Sequence, residues 1–558
     1  MSIFLITLIL GGTALLSWPL SKAMTWAMNA PEKENGFRYG IESLFQKLGG
    51  KLIAKEQNWK QYTLSLLLFN ALMFAAAFAV LYLQPLLPLN PDGKGAIEPS
   101  LIFHTVASFT TNTNFQHYSG ETTMSYFSQL FGLMWLQFVS AATGIAALAA
   151  LSRGLAGKVD FGNFYSDLMR ATFLIFLPLA TISAVILVLG GVVMTLQGAA
   201  VATTLEGAVQ TIARGPVAAF MAIKQLGTNG GGWFNANSAH PFENPTFFTN
   251  IVESMFIILI PMACVWMFGR ITGRMRHAVM VFSVMGVILV AMLGFANYFE
   301  SAPTAAFKGL PIESSGNLEG KELRFGSFAG PTWAALTTAT SNGSVNAMHD
   351  SLNPLAGLVP MVGMWFNVTF GGVGVGFINM FIYIIVGVFI SGMMVGRTPE
   401  YLGRKVETRE MKFALLAILV HPLFILGGTA LFAASYWGTL SVHNPGFHGF
   451  SEILYEFSSE AANNGSAFAG LRDNTMSWNV AGGIIMLLAR FIPIIFPLAI
   501  AGSLAAKKPT PETAGTLRTD TSLFGFVILG TVILVGALLF MPVAVLGPIA
   551  EHLTAAGM

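Results

Sequence analysis

Charge is scarce in this chain: only 10% of its 558 residues are Asp, Glu, Lys or Arg, where soluble domains carry about a quarter. With 54% hydrophobic residues and a mean hydropathy of +0.65, that shortage excludes a soluble globular domain and assigns an integral membrane protein. A net charge of +2 supplies no concentrated basic face, which excludes a nucleic-acid partner. The one cysteine, Cys264, lies in an apolar run, can form no internal disulfide, and reads as a small buried hydrophobe. Catalytic signatures are missing as well. The sequence holds no G-x-x-x-x-G-K-[ST] phosphate loop, no H-E-x-x-H, no nucleophile elbow and no D-K-T-G-T aspartyl-phosphate motif. Its histidines lack ligand spacing, and His421, beside Pro422 in an apolar run, reads as a hydrogen-bonded packing residue rather than a proton carrier. Any energy for work must come from an ion gradient or from another subunit.

What is present is length of apolar sequence. A spanning helix needs about 20 mostly apolar residues, and ten segments qualify: 3–20, 61–85, 123–151, 168–197, 248–269, 277–298, 355–395, 411–434, 478–505 and 521–548. The first has no basic residue before its apolar stretch and reads as a retained anchor rather than a secretory signal. With ten spans, the loops on one side hold 21 Lys and Arg against 7 on the other. The positive-inside rule therefore puts both termini outside the cytoplasm.

Four loops on that outer side are alike: "FTTNTNFQ" from Phe109, "LGTNGGGW" from Leu226, "ATSNGSVN" from Ala339 and "EAANNGSAF" from Glu460. Aligned on a shared asparagine they give Thr111-Asn112-Thr113, Thr228-Asn229-Gly230, Ser341-Asn342-Gly343 and Asn463-Asn464-Gly465, so the first loop carries Thr113 where the others have glycine. The asparagines recur 117, 113 and 122 residues apart, a period that a span, an outer loop and a second span would fill. The expected organisation is an all-α membrane protein with four pseudo-symmetric helix–pore loop–helix repeats, 61–152, 168–272, 277–397 and 411–508. Flanking helices at 1–22 and 521–548 lie outside the repeat.

Each loop follows a short helical start at Pro99, Pro216, Pro331 or Ser451. About 12 residues at 1.5 Å each reach roughly 18 Å, too short to span. Such a half-helix dips into the bilayer only if protein surrounds it, and the chain then returns as irregular backbone lining a water-filled path. Glycine, and next asparagine, tolerates the positive φ that turns carbonyls toward a common axis, and the C-terminal ends of the half-helices favour a cation there. Four loops around one axis make rings of oxygen able to replace an ion's hydration shell. The candidate filter residues are Thr111, Asn112, Thr113, Asn114 and Gln116; Thr228, Asn229, Gly230, Gly231 and Gly232; Ser341, Asn342, Gly343 and Ser344; and Asn463, Asn464, Gly465 and Ser466.

Three further features sit inside apolar segments. The seventh span is too long and is interrupted by "FGGVGVGF", whose Gly371, Gly372, Gly374 and Gly376 either let helices pack closely or unwind the helix as a gate below the filter. Arg490 is the only Lys or Arg in a span interior; it either faces an aqueous cavity and opposes free passage of a cation, or forms a structural ion pair. Glu452, Glu456 and Glu460 follow at i, i+4 and i+8 on one face of the fourth half-helix, while Glu253 is at the outer part of a span.

At these loops, and at "GETTMSYFSQ" from Gly120, "NANSAHPFENPT" from Asn235, "GRTPEYLG" from Gly396, "NPGFHGFSEILY" from Asn444 and "NNGSAFAGL" from Asn463, the sequence resembles the KdpA family. These are the potassium-binding subunits of the bacterial Kdp potassium-transporting ATPase. The resemblance runs from the first span to the last. It implies the potassium-transporter superfamily fold, with K+ as transported ion and no organic cofactor in this chain. It also implies a bacterial inner-membrane complex with a P-type ATPase subunit, a single-span accessory subunit, a small single-span subunit and membrane lipid. By the same resemblance Arg490 is the family's intramembrane arginine, Gly371 to Gly376 its broken helix, and an intersubunit tunnel leads the ion to the ATPase subunit. A self-sufficient potassium symporter or channel of the same superfamily is the rival.

Overall fold

The computed structural model describes residues 2–29, 37–50, 53, 55–303, 311, 316–511 and 517–556. Among the loop cations counted above, Lys33, Lys51 and Lys308 fall outside them. Ten helices are long and apolar enough to cross a membrane: α1 (Ser2–Met28), α3 (Trp59–Tyr82), α5 (Ser128–Leu155), α6 (Phe164–Leu189), α8 (Phe247–Thr272), α9 (Met275–Glu300), α12 (Val375–Val395), α13 (Thr408–Ala433), α15 (Met476–Ala505) and α16 (Ser522–Ala555). Among the described residues six helices of 10–16 residues lie between them: α2 (Phe37–Gly49), α4 (Pro99–Thr110), α7 (Val217–Leu226), α10 (Ala329–Ala339), α11 (Pro354–Phe366) and α14 (Gly446–Ala461). Sheet among the described residues amounts to two small antiparallel hairpins, Ala200–Thr203 with Val209–Ile212 and Glu400–Tyr401 with Arg404–Lys405.

Local sequence sets the ends. Asn58 and Thr246 close capping boxes at the starts of α3 and α8. Pro99 occupies the first turn of α4, where its missing N–H costs nothing, and the Glu98 carboxylate receives the Leu101 amide. The stretch expected as one span over 355–395 is two helices, because the backbone takes φ of 48° at Asn367, 62° at Phe370, 60° at Gly371 and 77° at Gly374. No α-helix accommodates such a run.

The short helices α4, α7, α10 and α14 organise the interior. Each packs on the spans before and after it, and also on the exit span of the preceding repeat: α7 on α5, α10 on α8, α14 on α11, and α4 on α15. The last contact closes the series into a ring. Burial follows from that position: every residue of α10 is buried, as is all of α14 from Ser451 onward. Lipid-facing helices look different. On α1 and α3, Phe4, Leu15, Leu68 and Leu72 are exposed, a cost only in water.

Candidate ion-selectivity site

The four half-helices end alike. After each C-cap residue come a residue with positive φ, a residue whose amide bonds back to the carbonyl five positions earlier, and a second residue with positive φ. In the second hairpin these are Thr228 (φ 49°), Asn229 (N to Lys224 O, 2.9 Å) and Gly230 (φ 81°). Ser341, Asn342 and Gly343 repeat the pattern at 48°, 2.8 Å to Thr337 O and 90°; Asn463, Asn464 and Gly465 repeat it at 51°, 2.9 Å to Ser459 O and 100°.

The first hairpin obeys the same rule one residue later than the shared asparagine suggests. Its positive φ values are at Asn112 (64°) and Asn114 (56°), and it is Thr113 whose amide reaches Ser108 O at 2.9 Å. The structural equivalents of Asn229, Asn342 and Asn464 are therefore Thr113, not Asn112, and the glycine position is held by Asn114. This corrects the alignment read from sequence. The physical reason is that backbone torsion fixes the correspondence, and asparagine, after glycine, best tolerates the left-handed region.

In this register the hairpins interlock in cyclic order. A Cβ on Gly230 would overlap the carbonyl of Asn342, one on Gly343 that of Asn464, and one on Gly465 that of Thr113. The seam between first and second hairpins is closed by side chains: Asn112 Nδ2 donates to Gly227 O (3.1 Å) and Thr228 O (2.9 Å), and Asn229 Nδ2 donates to Asn112 Oδ1 (2.7 Å). Asn342 Nδ2 reaches Lys224 O (3.4 Å), Asn464 Nδ2 reaches Thr337 O (2.9 Å), and Asn463 Nδ2 reaches Thr113 Oγ1 (2.9 Å). Each hairpin thus abuts the next around a closed series, and no Cβ fits at the three glycines.

Outside this ring a layer of side chains holds the outgoing limbs. Gln116 grips Gly232 from both sides, accepting its amide (2.7 Å) and donating to its carbonyl (3.0 Å). Lys224, fully buried, donates to Glu243 Oε2 (2.7 Å), Ser238 Oγ (2.9 Å) and Asn237 Oδ1 (2.5 Å), and Asn237 Nδ2 in turn donates to Gly230 O (2.8 Å). Trp333 Nε1 donates to Ser344 O (2.9 Å), and the Tyr455 hydroxyl pairs with Ser466 Oγ (2.8 Å). Lys224 is thus buried beside the second hairpin and is not an exposed loop cation. Gly231 packs on Asn114, a Cβ there falling 2.9 Å from the Asn114 Cβ.

Above the ring opens a polar vestibule lined by residues that include Gln116, His117, Asn235, Gly343, Gly465 and Asp473. Below it sits the broken segment between α11 and α12. Gly371 N donates to Ala339 O (2.9 Å) and Val373 N to Thr228 Oγ1 (3.0 Å), while Ser341 Oγ donates to Asn367 Oδ1 (2.7 Å). Gly374 and Gly376 leave no room for a side chain: a Cβ on Gly374 would overlap the Gly144 carbonyl, and one on Gly376 that of Phe370. The Arg490 guanidinium lies against Gly372 and Gly144, at 3.7 Å and 3.6 Å from where their Cβ atoms would be. Among the described residues no carboxylate pairs with Arg490, and its buried Nη2 has no hydrogen-bond acceptor. It lines, with Ser341, Asn367, Gly372, His421 and Asn463, a narrow cavity below the ring. His421 Nε2 meets the Met364 carbonyl there at 3.0 Å.

Two comparisons bear on this geometry. Residues 6–553 match the family described as KdpA, potassium-transporting ATPase A subunit. The chain belongs to the KdpA family. A protein of Geobacillus kaustophilus (strain HTA426) named potassium-transporting ATPase potassium-binding subunit is 47% identical over 539 residues, covering 96% of either chain. A KdpA chain is one subunit of a potassium-transporting ATPase, and with ten apolar helices this one is a multi-pass membrane protein.

Some of what surrounds the ring in this KdpA chain carries no signal in sequence. Asn367, which donates to Ala462 O (3.2 Å) and accepts from Ser341, ties the third and fourth hairpins to the break. Ser140, on α5, donates to Asn112 Oδ1 (2.8 Å). Ser140 is a polar residue in an apolar helix, a cost in lipid that marks a protein-facing position, whereas Asn367 falls where α11 ends, at φ 48°.

Proposed function

We propose that this chain is the potassium-binding, potassium-selecting subunit of an ATP-driven uptake pump in a bacterial inner membrane, with both termini outside the cytoplasm. Potassium enters the vestibule from outside and sheds water against the carbonyls of the four hairpins, among them those of Thr113, Asn229, Asn342 and Asn464. Dehydration is offset because the oxygens are fixed in advance by the interlocked backbone and its girdle of buried side chains. The segment from Gly371 to Gly376, with Gly372 beneath the ring, and the unpaired Arg490 guanidinium obstruct straight conduction. A cation arriving in that cavity meets a buried positive charge, which turns the ion aside instead of releasing it inward. A P-type ATPase partner receives the ion and supplies the energy by ATP hydrolysis; the single-span accessory and small single-span subunits complete the assembly, in contact with lipid. The observation that carries this reading is the carbonyl-to-glycine contact at three seams of the ring, with Asn112 and Asn229 closing the fourth.

A self-sufficient symporter would share the ring but would take up potassium without partners. Uptake of a potassium analogue is measured in vesicles holding either this chain alone or the whole complex, removing ATP and each ion gradient in turn. Uptake by the whole complex that fails only without ATP is expected; gradient-driven uptake by the chain alone would overturn the pump reading. The filter itself is tested by Gly232→Asp. A Cβ there falls 3.0 Å from Glu243 Oε1, so a second carboxylate is driven into a buried acid. Loss of potassium affinity or selectivity is expected, and unchanged potassium handling would leave only a scaffold.

A further inference from the structure

Behind the seam that joins the first and fourth hairpins lies a group of side chains that the filter reading leaves unused. His104 on α4 and Glu460 on α14 are wholly buried, and neither ring nitrogen of the one nor either carboxylate oxygen of the other has a hydrogen-bond partner. They face each other, His104 Nε2 lying 3.9 Å from Glu460 Oε1. His117, just past the first hairpin, stacks on His104 with ring centroids 3.6 Å apart. Its Nε2 points to Glu456 Oε1 (3.0 Å) and Asp473 Oδ2 (3.9 Å), and its Nδ1 meets Asn479 Oδ1 at 2.8 Å. Space for the Glu460 carboxylate exists because residue 482 is glycine, whose Cβ would overlap it.

Four polar atoms left bare in a dry interior are costly, and one of them, His104 Nε2, faces the Glu460 carboxylate. Imidazole nitrogen with carboxylate oxygen is the donor set of zinc and its transition-metal neighbours, whereas potassium, calcium and magnesium take oxygen alone. Ligand atoms around a tetrahedral zinc stand about 3.3 Å apart, so His104 and Glu460 need close by about half an ångström, and the His104 and His117 rings must turn out of their stack because each imidazole binds through a lone pair in its own plane. The ligand atoms of His104, His117 and Glu460 all lie within 4.8 Å of one another, as do those of His117, Glu456 and Asp473. Asn479 holds the Nδ1–H of His117 and thereby directs Nε2 inward, the usual outer-shell support of a metal-bound imidazole. His117 and Asp473 also line the outer vestibule, which gives an ion a way in.

We propose that His104, His117 and Glu460, with Glu456 or Asp473 as fourth ligand, form a zinc-class transition-metal site that fastens the first filter hairpin to the fourth half-helix from the outer side. The site opens on the vestibule through His117 and Asp473 but lies behind the hairpin carbonyls, and it is independent of the pump reading.

The test uses the purified complex, stripped with chelator and then titrated with zinc or cobalt(II). Metal analysis is expected to find one tightly held ion per chain, and cobalt(II) to give the visible bands of a four-coordinate site. His104→Gln and Glu460→Gln each abolish that ion, and Asn479→Ala weakens it about 10–100-fold, while His448→Gln, at a separate acidic cluster, leaves it in place. Rubidium binding retained by the variants checks that the fold survives. Where a variant does not assemble, zinc-edge anomalous scattering from the unaltered complex decides. A peak between His104, His117 and Glu460 supports the site; no peak, a peak at Asp350 and His448 instead, or a stoichiometry unmoved by the two glutamine variants overturns it.

Discussion

The first hairpin and the other three reach one backbone shape by different means. In the second, third and fourth, the residue that turns toward the neighbour is Gly230, Gly343 or Gly465, and a side chain there would strike the next carbonyl. In the first, Asn114 adopts φ 56° with a side chain present, and neither its amide nitrogen nor its oxygen has a partner. The asparagine that looks equivalent by sequence, Asn112, instead crosses to the second hairpin and bonds its carbonyls. Torsion angles and carbonyl positions are thus common to all four, while side chains are not. A ring that need only present oxygens can be assembled from unequal parts, and its inequality falls at the first-to-second seam, where side chains replace the close glycine contact.

The largest effect expected from disturbing this arrangement is at Lys224, whose network the first hairpin lacks. Replacing Lys224 by Met leaves Glu243 buried without its partner, a change that costs about 3–5 kcal/mol, and frees Asn237, which holds the Gly230 carbonyl. The complex should unfold at a clearly lower temperature and bind potassium poorly. Adding Glu243→Leu should recover much of the stability but less of the affinity. Equal recovery of both would mean that the network supports the fold and not the hairpin.

Next comes a direct contrast between hairpins. Gly343→Ala forces a side chain into φ 90° and against the Asn464 carbonyl. The left-handed strain alone is about 1–2 kcal/mol, and with the displaced oxygen the loss of potassium affinity should be on the order of 100-fold, at about 1.4 kcal/mol for each factor of ten. Asn114→Gly relaxes the same torsion in the first hairpin and should change affinity by no more than about threefold. Potassium titration of the two variants measures both. If Asn114→Gly were as damaging as Gly343→Ala, the asparagine side chain, and not the torsion, would matter in the first hairpin.

That contrast also marks how far the sequence was readable. Apolar length located all ten spans, because a bilayer demands it regardless of tertiary context. Proline at Pro99 and the recurring Asn-Gly pairs located the half-helices and their turns, since these residues act through local torsion. The seventh span misled only in continuity: its glycines signalled a break, but the unwinding begins earlier, at Asn367, which tolerates positive φ, and includes Phe370, whose residue type does not announce it. The one-residue register of the first hairpin was hidden because "TNTN" offers two asparagines, and which one sits at the turn is decided by the amide of Thr113 finding Ser108. The ligand-rich cluster was hidden for a plainer reason. Glu460 is far along the chain from His104 and His117, and only the fold brings it against them.

The smallest expected effect concerns another seam, between the third and fourth hairpins, where His448 of α14 bridges Asp350 (2.8 Å) and Glu551 of α16 (2.8 Å). Burial opposes charge on this imidazole, but hydrogen bonds to the two carboxylates and their negative charge outweigh it and raise its pKa to about 10, from an ordinary value near 6.5. Because the folded state holds the proton more tightly, the bridge contributes its full stability below about pH 6.5 and loses it as pH rises through about 10. Half-exposed contacts of this kind are worth on the order of 1–2 kcal/mol. His448→Gln should therefore lower the unfolding temperature by a few degrees at pH 6 and by almost nothing at pH 10.5. A gap that stays constant across this range would mean that packing of the ring, stacked on Phe468 at 5.8 Å, does the joining and its charge does not. In that case the third-to-fourth seam, like the filter ring itself, would depend on shape more than on the ionisation of its side chains.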